Sequence, residues 1–180
     1  MGSAMFLTLV LLSIAFNPQP IFVNGDMGLI QKTCKNTKHY DLCVSSLKSN
    51  STSSNTDTKG LALIMIGVGV ANATATSSYL SSQLLSTSND LILKKVLKEC
   101  ADKYGFAGNS LQESVQDLEL ESYDYAYMHI MGAADYPNAC HNSFRRYPGL
   151  AYPPMIALRE QGLKHICDVV MGIIDALALN

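Results

Sequence analysis

The chain is 180 residues long, with a formal net charge of −2, 16% charged residues against 48% hydrophobic ones, five cysteines and no tryptophan. Near-neutral balance, with an isoelectric point near 6.0, leaves no electrostatic footprint for nucleic acid or an acidic membrane surface. The basic doublet Arg145–Arg146 reads as a solvated loop, and the length suits one domain with a single core.

Residues 1–25 contain no Lys, Arg, Asp or Glu, and "MFLTLVLLSIAF" is apolar apart from Thr8 and Ser13. A run of about 12 residues is too short to span a bilayer. It has the length of the apolar region of a secretory signal peptide. "FNPQPIFVNG" follows with polar breakers, so residues 1–25 are expected to be the leader, cleaved near Gly25–Asp26. No membrane anchor is expected downstream. "HICDVVMGIIDALAL" comes nearest, and Asp168 and Asp175 interrupt it.

Residues 26–58 read as two short helices with a turn near Asn36–Lys38, then the polar loop "NSTSSNTDTKG". A hairpin of that size is marginal in water and needs something to hold it. Residues 59–180 then read as helix after helix, with no proline between Pro20 and Pro137. A helix is predicted over Lys59–Leu85 with Leu61, Ile64, Val68, Ala71, Ala75 and Ser78 inward, so that its second half packs through small side chains. The next seam runs through Leu93, Leu97, Cys100, Tyr104, Ala107, Leu111 and Leu118, with Gly105 and Gly108 permitting close approach by a neighbour. A helix over Ser122–Ser143 places Tyr123, Tyr127, Ile130 and Ala134 on one stripe, and Pro137 should kink it or end it a turn early. The last helix enters through Pro153 and Pro154. It repeats every seven residues at Ile156, Leu163, Val170 and Leu177, with Ile166 and Ile173 complementary. No strand-period alternation appears. The fold class is all-α, an up-down-up-down four-helix bundle with an N-terminal helical hairpin extension.

In an oxidising compartment, Cys34 and Cys43 would close a ten-residue loop and hold the hairpin, contributing about 2.7 kcal/mol in the chain-entropy model. A bridge between Cys100 and Cys140 would contribute about 4 kcal/mol. Four cysteines allow three pairings, and spacing does not choose among them. Cys167 lies on the apolar face of the last helix beside Ile166 and Val170, as expected of a buried, inert thiol. There is no CxxC pair, and Cys140–His141 and His165–Cys167 are too sparse for a four-ligand site, so no metal and no cofactor is expected. Asn50 (Asn-Ser-Thr) and Asn72 (Asn-Ala-Thr) are glycosylation sequons.

No catalytic constellation emerges. His39, His129, His141 and His165 are scattered, and neither a GxSxG elbow nor a phosphate-binding glycine loop is present. Glu113, Asp117, Glu119, Glu121 and Asp124 crowd one region but are spread around a helix end, so the protein is not expected to be an enzyme. "ESYDYAYMH" is the most suggestive surface. With Tyr123 and Tyr127 inward, Asp124 and Tyr125 point elsewhere, and tyrosine is enriched in interface hot spots.

"TCKNTKHYDLC" after a leader, "GLALIMI" opening the next helix, "LKECADKY", "SLQESVQDL" and Cys140 following "GAA" together resemble the plant invertase and pectin methylesterase inhibitor family across the mature region. The resemblance implies a four-helix bundle with an N-terminal hairpin and disulfides between consecutive cysteines, Cys34–Cys43 and Cys100–Cys140. It also implies a secreted, non-catalytic protein of the apoplast or vacuole that forms a 1:1 complex with a carbohydrate-active enzyme and occludes its cleft. In the invertase inhibitors a Pro-Lys-Phe motif opens a bundle helix, and the ungapped match places Tyr123, Asp124 and Tyr125 there, with Asp124 reversing the charge. The Ala-Ala-Leu-Thr-like run of the pectin methylesterase inhibitors is replaced by "GAADYPNAC". "YDYA" is similar to an invertase inhibitor-like subgroup that includes pollen allergens. The implied target is therefore acid invertase ahead of pectin methylesterase, with a non-inhibitory secreted binding module as the third alternative.

Overall fold

The computed structural model describes residues 24–87 and 89–179. The expected leader falls almost wholly on residues outside that range. Six α-helices follow in order: α1 Asn24–Cys34, α2 Tyr40–Lys48, α3 Thr58–Ser86, α4 Leu91–Glu119, α5 Tyr123–Arg145 and α6 Pro154–Ala178. A short 3-10 turn over Ser51–Asn55 leads into α3. No strand occurs among the described residues. The four long helices are the bundle, and α1 and α2 are the hairpin.

Local chemistry sets the helix starts. The Asp57 carboxylate accepts from the Gly60 N–H at 2.8 Å and the Asp90 carboxylate from the Leu93 N–H at 2.9 Å, satisfying amide groups that the first turn leaves unpaired. Pro154 occupies the first position of α6, where its missing N–H costs nothing.

The core is one continuous cluster. Cys100, Tyr104, Ala107, Leu111 and Leu118 of α4 are fully buried, and Ile156, Leu163, Ile166, Val170 and Ile173 of α6 are buried with them. On α3 the inward row is Leu61, Ala62, Met65, Ile66, Gly69, Ala73, Thr76 and Leu80, whereas Ala71, Ala75 and Ser78 are exposed and Ile64 and Val68 only half-buried. The expected row is thus displaced around the helix after Leu61. Small side chains do face inward in its second half, and at Gly69 an added Cβ would come within 3.1 Å of Leu111 Cδ1. The reason for the displacement is compositional. No charged residue occurs from Gly60 to Asn89, so no strongly polar face marks the outside. By length and composition alone α3 is also apolar enough to cross a membrane, contrary to the expectation that nothing downstream of the leader would be. It lies instead within the bundle, packed on α4 and α6.

α5 runs through Pro137 to Arg145 and does not end early. Pro137 is buried, and beyond it Cys140, Ser143 and Phe144 are buried as well. Packing of that last stretch outweighs one missing backbone hydrogen bond. Cys140 is also bonded to Cys100 of α4, with Cα atoms 4.6 Å apart.

The second disulfide, Cys34–Cys43, closes the hairpin with Cα atoms 5.6 Å apart. The hairpin turn rests on α6. A Cβ on Gly172 would sit 3.3 Å from the Thr37 Cα, so a larger residue there would push the turn outward. Lys38 Nζ donates to Asp168 Oδ1 at 3.1 Å, and His39 Nε2 lies 3.3 Å from Asp168 Oδ2. The His39 ring stacks on His165 with centroids 3.8 Å apart. Cys167 is a buried free thiol whose pKa burial pushes up to about 12, so the thiolate is not populated.

Candidate functional site

The link between α4 and α5 is three residues long and tightly determined. The Ser122 N–H donates to the Asp117 carbonyl at 2.8 Å and the Glu121 N–H to the Leu118 carbonyl at 3.2 Å, which together make a Schellman closure of α4. Glu121 holds the left-handed position of that closure, at φ 59°, where glycine is usual. Its carboxylate meets Lys59 Nζ at 3.2 Å. A strained non-glycine residue thus fixes the angle at which α5 leaves the bundle end.

From there helical periodicity sorts the side chains of α5. Tyr123 and Tyr127 are half-buried and pack against the core, while Asp124 is exposed. Tyr125 is 64% exposed, and Met128 at 59% and Met131 at 48% continue its line along the outer face. The sequence expectation for residues 123–125 agrees with these directions. Beside Tyr123 and Tyr127 lies a groove of about 290 Å³, closed on its other side by Ile174, Asp175 and Ala178 of α6. Asp175 escaped sequence reasoning because α6 reaches this place only through its packing on α5.

A second polar assembly lies between the hairpin turn, α5 and α6. Glu160 accepts from the Tyr152 hydroxyl at 2.9 Å and faces Lys164 Nζ and His141 Nδ1, each at 3.4 Å. Lys164 also donates to Asn138 Oδ1 at 2.8 Å. The His141 and Tyr152 rings stack 4.2 Å apart, edging a cleft of about 420 Å³ that reaches His165 and Asp168. Burial, with Glu160 nearby, pushes the phenol pKa values of Tyr104 and Tyr152 above their ordinary range, so both hydroxyls stay neutral. Burial and the neighbouring His39 hold the His165 pKa below its usual value.

None of this assembles into a nucleophile with its base. Glu113 and Asp117 flank the His129 ring at 3.1 and 3.4 Å, and Glu121 meets Lys59, so these three carboxylates face basic side chains and not one another. Among the described residues no group of three His, Cys, Asp or Glu side chains is placed to hold a metal ion. Of the two sequons, Asn50 is exposed and its Oδ1 accepts from the Thr52 N–H at 2.9 Å and hydroxyl at 2.6 Å. Asn72 is half-buried beside Gly162 of α6, its Oδ1 buried without a hydrogen-bond partner.

The sequence matches the family profile described as plant invertase/pectin methylesterase inhibitor over residues 28–173. It is 49% identical over 176 residues to cell wall / vacuolar inhibitor of fructosidase 2 of Arabidopsis thaliana, covering 98% of each chain. It is 33% identical over 157 residues to pectinesterase inhibitor 28 of Oryza sativa subsp. japonica, covering 83% of this chain and 69% of that one. The fold is similar to the crystal structure of a mutant form of a pectin methylesterase inhibitor from Arabidopsis, at TM-score 0.65 and 22% identity over 83% of this chain and 95% of that one. It is also similar to a pectin methylesterase inhibitor from Arabidopsis thaliana, at TM-score 0.60 and 20% identity over 82% of this chain and 95% of that one. With its profile match spanning both disulfides, the whole of α3, α4 and α5 and most of α6, the chain belongs to the plant invertase/pectin methylesterase inhibitor family.

Proposed function

We propose that the protein is a secreted inhibitor of a fructosidase-type acid invertase, acting by occlusion and performing no chemistry of its own. The observation that carries this reading is near full-length similarity, at 49% identity, to a relative named as an inhibitor of fructosidase. The bundle would lay the exposed start of α5, with Asp124 and Tyr125, across the mouth of the enzyme's substrate cleft. Tyr123, half-buried behind them, holds the helix start in place. The Schellman closure just before it holds that segment rigid before binding, which limits the ordering cost of association. A 1:1 complex follows from one such surface per chain. The leader-like N-terminus and the cell wall / vacuolar name of that relative support placement in the apoplast or vacuole. Asn50, exposed in the polar loop, is the better acceptor for a glycan.

Pectin methylesterase is the second reading, favoured by the 33% identical relative named as a pectinesterase inhibitor. Residual activity of each purified enzyme, mixed with the mature protein at mildly acidic pH, separates the two. Loss of invertase activity alone supports the proposal, and loss of esterase activity alone replaces it. Loss of neither identifies a non-inhibitory module that keeps the fold. Tyr125→Ala is then expected to raise the inhibition constant about tenfold with an unaltered helical circular dichroism spectrum, the effect of truncating an aromatic side chain at an interface. An unchanged constant would remove Tyr125 from the interface.

A further inference from the structure

We propose that the groove between the start of α5 and the end of α6 receives a lysine or arginine side chain of the target enzyme. This rests on the inhibitor reading above and names what the partner must bring to that site.

Three features of the groove point to a cation on an aliphatic stem. Its walls are Tyr123, Tyr127 and Met128 on one side and Ile174 on the other, an apolar and aromatic lining that suits methylene groups. Two carboxylates, Asp124 and Asp175, face it from opposite helices, and no Lys, Arg or His lines it. Neither carboxylate has an ion-pair partner among the described residues, although such pairs occur elsewhere on all four long helices and on the hairpin turn.

The position of Asp175 is the telling one. It stands in the last turn of α6, where the unpaired carbonyls already make a negative helix end, and no basic residue in that turn offsets it. A carboxylate there opposes the helix dipole, whereas Asp124 in the first turn of α5 follows it. A local rule broken without compensation inside the chain is accounted for when the compensation comes from a partner. A protein side chain fits better than a free metal ion. A hard cation requires six or more oxygen ligands, and the described residues hold no such cluster. A long side chain laid past Met128 would set its charge between the carboxylates and against a tyrosine face. The exposed line of Tyr125, Met128 and Met131 runs on from the groove, so an enzyme surface covering it would reach the groove at the same time.

The test uses the full secreted chain and whichever purified enzyme the wild type inhibits. Asp175→Asn should raise the inhibition constant about fivefold and Asp175→Lys by about thirtyfold or more, chiefly through slower association that flattens with added salt. Asp135→Asn, a carboxylate elsewhere on α5, should change neither. Asp175→Asn should meanwhile unfold at the same or a higher temperature, because the helix end loses an unfavourable charge. Unchanged inhibition by both Asp175 variants, with wild-type inhibition intact, overturns the groove and leaves the inhibitor reading standing. If the wild type inhibits neither enzyme, the inhibitor reading itself fails. The groove is then tested directly by titrating N-acetyl-arginine amide and following the NMR resonances of Tyr123, Tyr127 and Ile174. Saturable shifts that vanish in Asp175→Asn support a cation site, and their absence overturns it.

Discussion

Replacing Cys100 and Cys140 with alanine should weaken the bundle as a whole, and the size of the effect can be worked out. The bridge links residues 40 apart in sequence, so the chain-entropy model gives about 13 cal/mol/K of unfolded-state entropy, or about 4 kcal/mol at room temperature. At a typical urea dependence of about 2 kcal/mol/M, the unfolding midpoint should fall by about 2 M. The loss should also have a place. α5 lacks one backbone hydrogen bond at Pro137, and residues 138–145 depend on Phe144, Ser143 and the bridge to stay packed. Amide exchange in that stretch should therefore accelerate more than in α6. The matching pair of substitutions at Cys34 and Cys43 provides the contrast. That loop is worth about 2.7 kcal/mol by the same model, but it braces a hairpin outside the bundle core, so the loss should appear as local opening of α1 and α2. Urea unfolding followed by circular dichroism, with exchange read by mass spectrometry, measures both. A loss below about 1 kcal/mol for the Cys100/Cys140 variant would refute the reasoning, since the constraint would then already exist in the unfolded chain.

Two further outcomes concern how the hairpin sits on α6. His165 faces His39 across a ring stack, with Asp168 and Lys38 beside them and Lys164 next along the helix, and burial and His39 lower its folded pKa. The unfolded chain, with an ordinary histidine pKa of about 6.5, then binds more protons below that pH, so stability is present above it and lost as pH falls. His165→Gln should flatten this dependence in unfolding titrations between neutral and mildly acidic pH, and a slope equal to that of the wild type would show that His165 does not contribute. Gly172→Val places a side chain against the Thr37 backbone, which cannot rotate aside as a side chain could. It should cost about 1–3 kcal/mol and speed proteolysis in the hairpin while the bundle stays protected. Undiminished hairpin protection would mean that the turn shifts without loss.

How far the fold could be read in advance depended on contrast within each helix. α6 alternates apolar residues with Arg159, Glu160, Lys164 and Asp168, and its seven-residue repeat falls on buried positions from Ile156 to Ile173. α4 behaves likewise, with Lys94, Lys95, Lys98 and Asp102 on the outside of a seam that the structure reproduces. α3 has no such contrast. Gly, Ala, Ser and Thr occur all around it, and a face then costs little whichever way it turns, so the inward row was set by its neighbours Leu111 and Ile166. Pro137 misleads for the opposite reason. Its local signal is strong, but the buried turns after it and the bridge at Cys140 override it.

The same distinction governs the candidate site. Tyr123, Asp124 and Tyr125 are neighbours in one helix start, and helical geometry alone assigns their directions. Asp175 is about fifty residues away in sequence, and it lines the same groove as Asp124 only because α5 and α6 lie side by side with opposite ends together. One sign of it was nevertheless present in the chain: an aspartate in a last helical turn that carries no base. A charge placed against the helix dipole loses stability in the free protein. If it is matched in a complex, the unfavourable term is removed on binding, and affinity rises by the same amount without any new apolar contact. Asp175→Asn therefore separates the two explanations by the sign of two numbers. A carboxylate that only happens to sit there yields a more stable protein that binds equally well, whereas one that serves recognition yields a more stable protein that binds less well.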